Sequence, residues 1–146
     1  MNLMKQRKGR RSLRALLLAA AVTAVACDDL TTAPTPPATT ISLQFSSQLM
    51  AGGMVWRSFT VSSGGTVSVL FTSLLPESDA VVSLGLGTFD GGACAVTSTA
   101  TAKSGSTDAV LTTTLTPGNY CVRISDPGVL TKTNDFSVTV SIPTGS

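Results

Sequence analysis

The chain has 146 residues, room for one domain of ordinary size and a short appendage but not for two cores. It contains no histidine and only 12% charged residues, which removes the commonest general base and the commonest transition-metal ligand and argues against a serine or cysteine triad. Beyond the first 26 residues only Arg57, Lys103, Arg123 and Lys132 are basic, too few and too scattered to track a phosphate backbone, so no nucleic-acid role is expected.

The formal net charge of +2 hides an asymmetry. Lys5, Arg7, Lys8, Arg10, Arg11 and Arg14 all precede the uncharged apolar run ALLLAAAVTAVA at residues 15–26. Twelve residues rise about 18 Å as a helix, short of a hydrocarbon core of about 30 Å, so residues 1–26 read as a signal peptide and not as a spanning helix. The pair Arg10-Arg11 invites a twin-arginine reading, but Arg14 stands where that motif prefers an apolar residue, and ordinary secretion is the reading adopted. After the cut, four basic residues face eight acidic ones, leaving a mildly acidic protein of net charge −4.

Cys27 follows Ala24-Val25-Ala26 directly. Those small residues fit the A-x-A pattern of general signal peptidase, and they also resemble the lipobox of bacterial lipoproteins, where the cysteine sulfur receives a diacylglyceryl group before the same bond is cut. Ala24 replaces the leucine usual at the first lipobox position. The cysteine count favours lipidation: Cys94 and Cys121 lie inside the domain, so Cys27 is the odd thiol with another fate. Two or three acyl chains, each buried methylene contributing about 0.8 kcal/mol, would hold the protein on a membrane. The expected location is therefore an exported protein anchored by lipid in a bacterial envelope membrane, the outer membrane or cell surface being favoured. Asp28 and Asp29 leave the leaflet open.

Residues 27–40 form the tether. The stretch LTTAPTPPATT at residues 30–40, with Pro34, Pro36 and Pro37, favours an extended polyproline conformation of about 3.1 Å per residue.

From Ile41 to the end, residues 41–146, apolar positions alternate with Ser and Thr as in half-buried strands. Ile41, Leu43 and Phe45 open the pattern; Val55, Arg57, Phe59 and Val61 follow, the arginine marking an exposed strand end. After the turn Ser62-Ser63-Gly64-Gly65-Thr66 come Val67, Val69 and Phe71, then Val82, Leu84 and Leu86. Cys94, Val96 and Ser98 give a weaker inner face. Ala109, Leu111, Thr113 and Leu115 precede the turn Thr116-Pro117-Gly118-Asn119, and Tyr120, Val122 and Ile124 lead to a last run of Phe136, Val138, Val140 and Ile142. About eight short strands separated by turn signals predict an all-β, antiparallel β-sandwich, jelly-roll-like in topology.

Cys94 and Cys121 are expected to form a disulfide in an oxidising compartment, which would stabilise the fold by roughly 3 kcal/mol in the chain-entropy model. They are too far apart in sequence to be half of a zinc finger. Asp79, Asp90, Asp108, Asp126 and Asp135 are the conceivable calcium ligands, but each sits in a separate loop and reads as a turn former, so no metal or cofactor is expected. Trp56 is out of phase with inward Phe59 and Val61, which permits exposure. With Phe89 and Tyr120 it makes the candidate ligand contact, although a lone tryptophan is more often packed at a sheet edge.

The order of several pieces resembles the bacterial pre-peptidase C-terminal domain, a small β-sandwich often appended to secreted peptidases. The pieces are Arg57-Ser58-Phe59-Thr60-Val61, Gly64-Gly65-Thr66-Val67-Ser68-Val69, Asp79-Ala80-Val81-Val82, the turn and strand from Leu115 through Tyr120 to Ile124, and Phe136-Ser137-Val138-Thr139-Val140. Where that family often carries acidic residues before the phenylalanine strand, this chain has Gly52-Gly53-Met54-Val55-Trp56, so no calcium site is carried over. The resemblance implies no catalysis and an auxiliary role in surface retention, export or the binding of protein or polysaccharide. The sequence thus predicts a non-enzymatic envelope lipoprotein whose sandwich binds or scaffolds an envelope protein or polysaccharide. The alternative is a carbohydrate-binding module with Trp56 at the contact.

Overall fold

Eight β-strands and their turns account for the computed structural model, which describes residues 39–145. They are β1 (Thr40–Leu49), β2 (Met54–Val61), β3 (Gly65–Leu75), β4 (Val81–Phe89), β5 (Cys94–Lys103), β6 (Leu111–Leu115), β7 (Gly118–Ser125) and β8 (Asn134–Pro143). The signal-peptide segment, Cys27 and the tether up to residue 38 lie outside the described residues.

The strands form two antiparallel four-stranded sheets, ordered β1-β8-β3-β6 and β2-β7-β4-β5. This is the jelly-roll arrangement of a sandwich: every connection crosses between sheets except β4 to β5, which is a hairpin within one sheet. Antiparallel pairing sends the β1–β2, β3–β4, β5–β6 and β7–β8 loops to one pole. The remaining three loops lie at the opposite pole, where the backbone N–H of Thr144 donates to the Thr39 carbonyl at 2.9 Å.

Period-two alternation explains the core. Val67, Val69 and Phe71 from β3, Val82, Leu84 and Leu86 from β4, Val122 and Ile124 from β7, and Phe136, Val138, Val140 and Ile142 from β8 are all buried between the sheets. These are the two central strands of each sheet, whose flanking strands shield them. A bulge in β3 between Phe71 and Ser73 shifts the inward phase by one, so that Leu74 rather than Ser73 fills the core. Leu49 and Leu130 close the multi-loop pole from inside.

One expected face is corrected. Cys94, Val96 and Ser98 do not share the inner face, because the β4–β5 register shifts between Leu86 and Gly87. Ser98 pairs with inward Leu86, whereas Val96 pairs with Gly87 and Cys94 with Phe89, both on the outer side. The extra residue, Thr97, donates its hydroxyl to the Leu86 carbonyl at 3.2 Å. The bulge reverses the parity of the strand, placing Cys94 outside and Ala102 inside.

Candidate functional site

The two outer faces differ in chemistry. On the β1-β8-β3-β6 sheet the outward positions are mostly Ser, Thr and Gln, and Gln44 and Ser46 both donate to the Ser137 hydroxyl, at 3.1 and 3.2 Å. The β2-β7-β4-β5 sheet instead carries Trp56, Phe89, Val96 and the Cys94–Cys121 disulfide on its outside. The disulfide joins β5 to β7 with a Cα–Cα separation of 5.7 Å.

Two glycines let this face form. Leu84 and Leu86 point inward, so Gly85 and Gly87 point outward, and the β5 bulge folds over them. A Cβ on Gly85 would lie 2.9 Å from Val96 Cγ1, and one on Gly87 would fall on the Ala95 carbonyl and within 2.6 Å of Val96 Cα. Glycine inside a strand here marks a close approach of backbone.

Trp56 and Phe89 are brought together across β7, which lies between their strands; the ring centroids are 5.3 Å apart at 39°. That tilted geometry is favourable for aromatic pairs. Trp56 is half-buried and pairs in register with Arg123. Tyr120 does not join them. In phase with Val122 and Ile124, it packs on Phe59 with centroids 6.1 Å apart, and its hydroxyl donates to the Thr116 carbonyl at 2.9 Å. Its work is to clamp the β6–β7 turn.

Two shallow clefts flank the aromatic pair. One, of about 370 Å³, runs along β2 from Met54 to Ser58 past Trp56 and Arg57. The other, of about 450 Å³, lies between Ser58 and Thr60 of β2, Asn119 at the start of β7, and Phe89, Asp90 and Gly91 where β4 turns into β5. Ser58 borders both. Thr60 donates its hydroxyl to Asn119 Oδ1 at 2.9 Å. Asp90 Oδ1 accepts the N–H groups of Ala93 and Gly92 at 3.0 and 3.1 Å, and these donors hold its carboxyl below the usual carboxylate range. Asn119, Ser58 and Thr60 were not singled out from sequence, though their outward parity with Trp56 was available as a signal.

Of the five aspartates weighed as calcium ligands, Asp79, Asp90 and Asp126 engage their carboxylates within the fold. Asp126, 8% exposed, accepts the N–H groups of Gly52, Val129, Leu130 and Gly128. Burial alone would raise its pKa; these donors outweigh burial, so the carboxyl sits below its ordinary range. Asp79 pairs with Lys103 at 2.9 Å on the exposed surface. Asp108 takes part in a local turn, its N–H donating to Ser106 Oγ at 3.3 Å, and Asp135 is exposed opposite Gln48 and Leu75. Among the described residues no three His, Cys, Asp or Glu side chains gather to hold a metal ion.

No protein-family model matches the chain, and no curated protein matches it. Among solved structures, the crystal structure of the Yersinia pseudotuberculosis-derived mitogen is similar, with a TM-score of 0.47 at 14% identity over 74% of this chain and 91% of that chain.

Proposed function

We propose that the protein is a non-enzymatic lipoprotein of the bacterial envelope, whose sandwich binds or scaffolds another envelope component through the outer face of the β2-β7-β4-β5 sheet. The observation that carries this is the contrast between the two outer faces: one is clad in Ser, Thr and Gln, the other bears an aromatic pair with a cleft on each side. A concavity that sets an aromatic ring among convergent polar side chains offers a ligand both an apolar contact and hydrogen-bonding groups. The anchor is supported by the cysteine count, since Cys94 and Cys121 are joined and Cys27 is the third cysteine, directly after a signal-peptide-like segment. The kinship with the pre-peptidase C-terminal domain belongs to the same proposal and rests on the residues quoted for it. The narrower reading, a carbohydrate-binding module, is favoured by the Trp56–Phe89 pair and is developed below.

The test is a photo-crosslinking amino acid placed at Ser58 in the full chain expressed in a bacterial host, with Thr112 on the other outer face as the control position. An adduct with an envelope component formed from Ser58 and absent from Thr112 supports the reading. Equal adducts from both positions, or none from Ser58, overturn it.

A further inference from the structure

We propose that the larger cleft is a subsite for a neutral glycan, with Asp90 and Asn119 contacting its hydroxyls and Phe89 supplying the apolar wall. This rests on the reading of the outer sheet face as the contact surface and names the ligand class that the face takes.

The first support is unspent hydrogen-bonding capacity. Asn119 uses Oδ1 to accept from Thr60, and among the described residues its Nδ2 has no partner, leaving two donors. Asp90 uses Oδ1 for the Ala93 and Gly92 N–H groups, and among the described residues its Oδ2 has none, leaving an ionised acceptor. Ser58, between the two clefts, adds a hydroxyl that can donate or accept. A donor pair and a carboxylate acceptor around one concavity match adjacent hydroxyl groups, each of which both gives and takes a hydrogen bond. The chemistry also discriminates: among the described residues Asp90 is the single charged side chain lining this cleft, so it disfavours phosphate, sulfate or carboxylate there.

The second support is preorganisation. The Asp90 carboxyl is fixed by its own turn, Asn119 is oriented by Thr60, and Phe89 is held by Trp56 on one side and stands opposite disulfide-bonded Cys94 in the ladder. Groups already held in place lose little freedom on binding, which leaves more of the contact energy as affinity. The volume of about 450 Å³ lies within the ordinary range for small-ligand sites.

An extended peptide is the competing occupant, because β2 is an edge strand. Asp126 N–H donates to the Gly53 carbonyl, so by alternation the backbones of Val55, Arg57, Phe59 and Val61 face β7 while those of Met54, Trp56, Ser58 and Thr60 face the open edge. A peptide adding there would use main-chain bonds and would not need the Asn119 amide or the Asp90 carboxylate. The side-chain groups at the cleft favour the glycan.

Trp56 is the only tryptophan in the sequence and packs on Phe89, which lines the cleft, so its fluorescence reports on the cleft through that ring. The experiment titrates the full chain, in detergent, with soluble tetrasaccharides of glucose, mannose, galactose and N-acetylglucosamine, with a tetragalacturonate as the acidic comparison. The expected result is a saturating change in Trp56 emission with at least one neutral sugar, weakened about tenfold or more by Asn119→Ala and by Asp90→Ala. Thr112→Ala should leave it within about twofold. No emission change with any neutral sugar, tighter binding of the acidic one, or binding that survives both cleft variants overturns the proposal. So does capture of an unstructured peptide that is indifferent to Asn119→Ala. If every sugar fails while Ser58 still crosslinks to an envelope component, the ligand class falls and the contact surface stands; if both fail, both fall.

Discussion

Glu77 and Asn134 hydrogen-bond each other in both senses: Asn134 Nδ2 donates to Glu77 Oε2 at 2.7 Å, and the Glu77 backbone N–H donates to Asn134 Oδ1 at 2.7 Å. Asn134 is fully buried and also donates to the Lys132 carbonyl, while Thr131 donates to Glu77 through both its N–H and its hydroxyl. The pair therefore fastens the β3–β4 loop to the β7–β8 loop. Asn134→Ala is expected to lower stability by about 2 kcal/mol, several degrees in Tm. Asn134→Asp should be worse at pH 7, because a second carboxylate would face Glu77, and the gap to Asn134→Ala should close as the pH falls towards about 4 and one carboxyl takes a proton. Thermal melts of both variants at the two pH values check this.

Acid should unfold the domain through a short set of carboxyls. Hydrogen bonds from Thr131 and Asn134 lower the Glu77 pKa, those from Ala93 and Gly92 lower that of Asp90, and at Asp126 backbone donors outweigh the opposing effect of burial. Folded pKa values below the unfolded ones mean stability that is complete above about pH 5 and lost as the pH falls through the folded values. Asp126→Asn should soften that acid limb in a urea titration. It should also destabilise at pH 7, since an amide nitrogen in place of Oδ2 cannot accept the Gly52 N–H, now bonded at 2.7 Å.

Gly87→Ala tests the folded-over strand. Its methyl would meet the backbone of Ala95 and Val96, not a movable side chain, so a loss of about 3 kcal/mol or failure to fold is expected. Gly92→Ala, with open space around the added carbon, should change stability by less than about 0.5 kcal/mol. Equal effects in urea denaturation would contradict the packing described for β5.

Removing the disulfide, by reduction or by the double change Cys94→Ala with Cys121→Ala, is expected to cost about 3 kcal/mol, the closed segment spanning a sequence separation of 27. Because Cys94 stands opposite Phe89 in the ladder, Trp56 emission should shift before global unfolding. A shift only at the global transition would place the aromatic pair outside the influence of the bridge.

Cys27→Ser tests the proposed anchor. The natural chain is expected in the membrane fraction with added lipid mass, and the variant in the soluble extracytoplasmic fraction without it. A variant that stays membrane-bound, or a natural protein without lipid mass, removes the anchor from the proposal.

Strands read well from sequence wherever alternation was unbroken. Val82, Leu84 and Leu86 could be placed inward because period two needs only local information, and all three are buried. Cys94, Val96 and Ser98 misled because Thr97 adds one residue to one strand of a pair, a property of register with the partner and not of β5 itself. Gly85 and Gly87 were the visible trace of that event. The outward parity of Trp56 was legible, but its contact with Phe89 depends on two strands separated by a third. Tyr120, in step with Val122 and Ile124, already carried the sign of an inward residue. Asp126 was readable as a turn former, whereas its bond to Gly52, from a turn 74 residues away, required the tertiary fold.

The pairing of Thr39 with Thr144 has a mechanical consequence. The chain enters the sandwich at the start of β1, an edge strand held to β8 by a continuous ladder of partners from Thr40–Pro143 to Leu49–Asn134. Inter-strand hydrogen bonds run perpendicular to the strands. A pull along β1 from Thr39, resisted at the opposite pole, therefore loads that ladder in shear, all rungs sharing the force. The same pull resisted at Thr144 would open it one rung at a time, like a zip. Where a partner grips the domain thus decides how much tension the first strand bears before it yields.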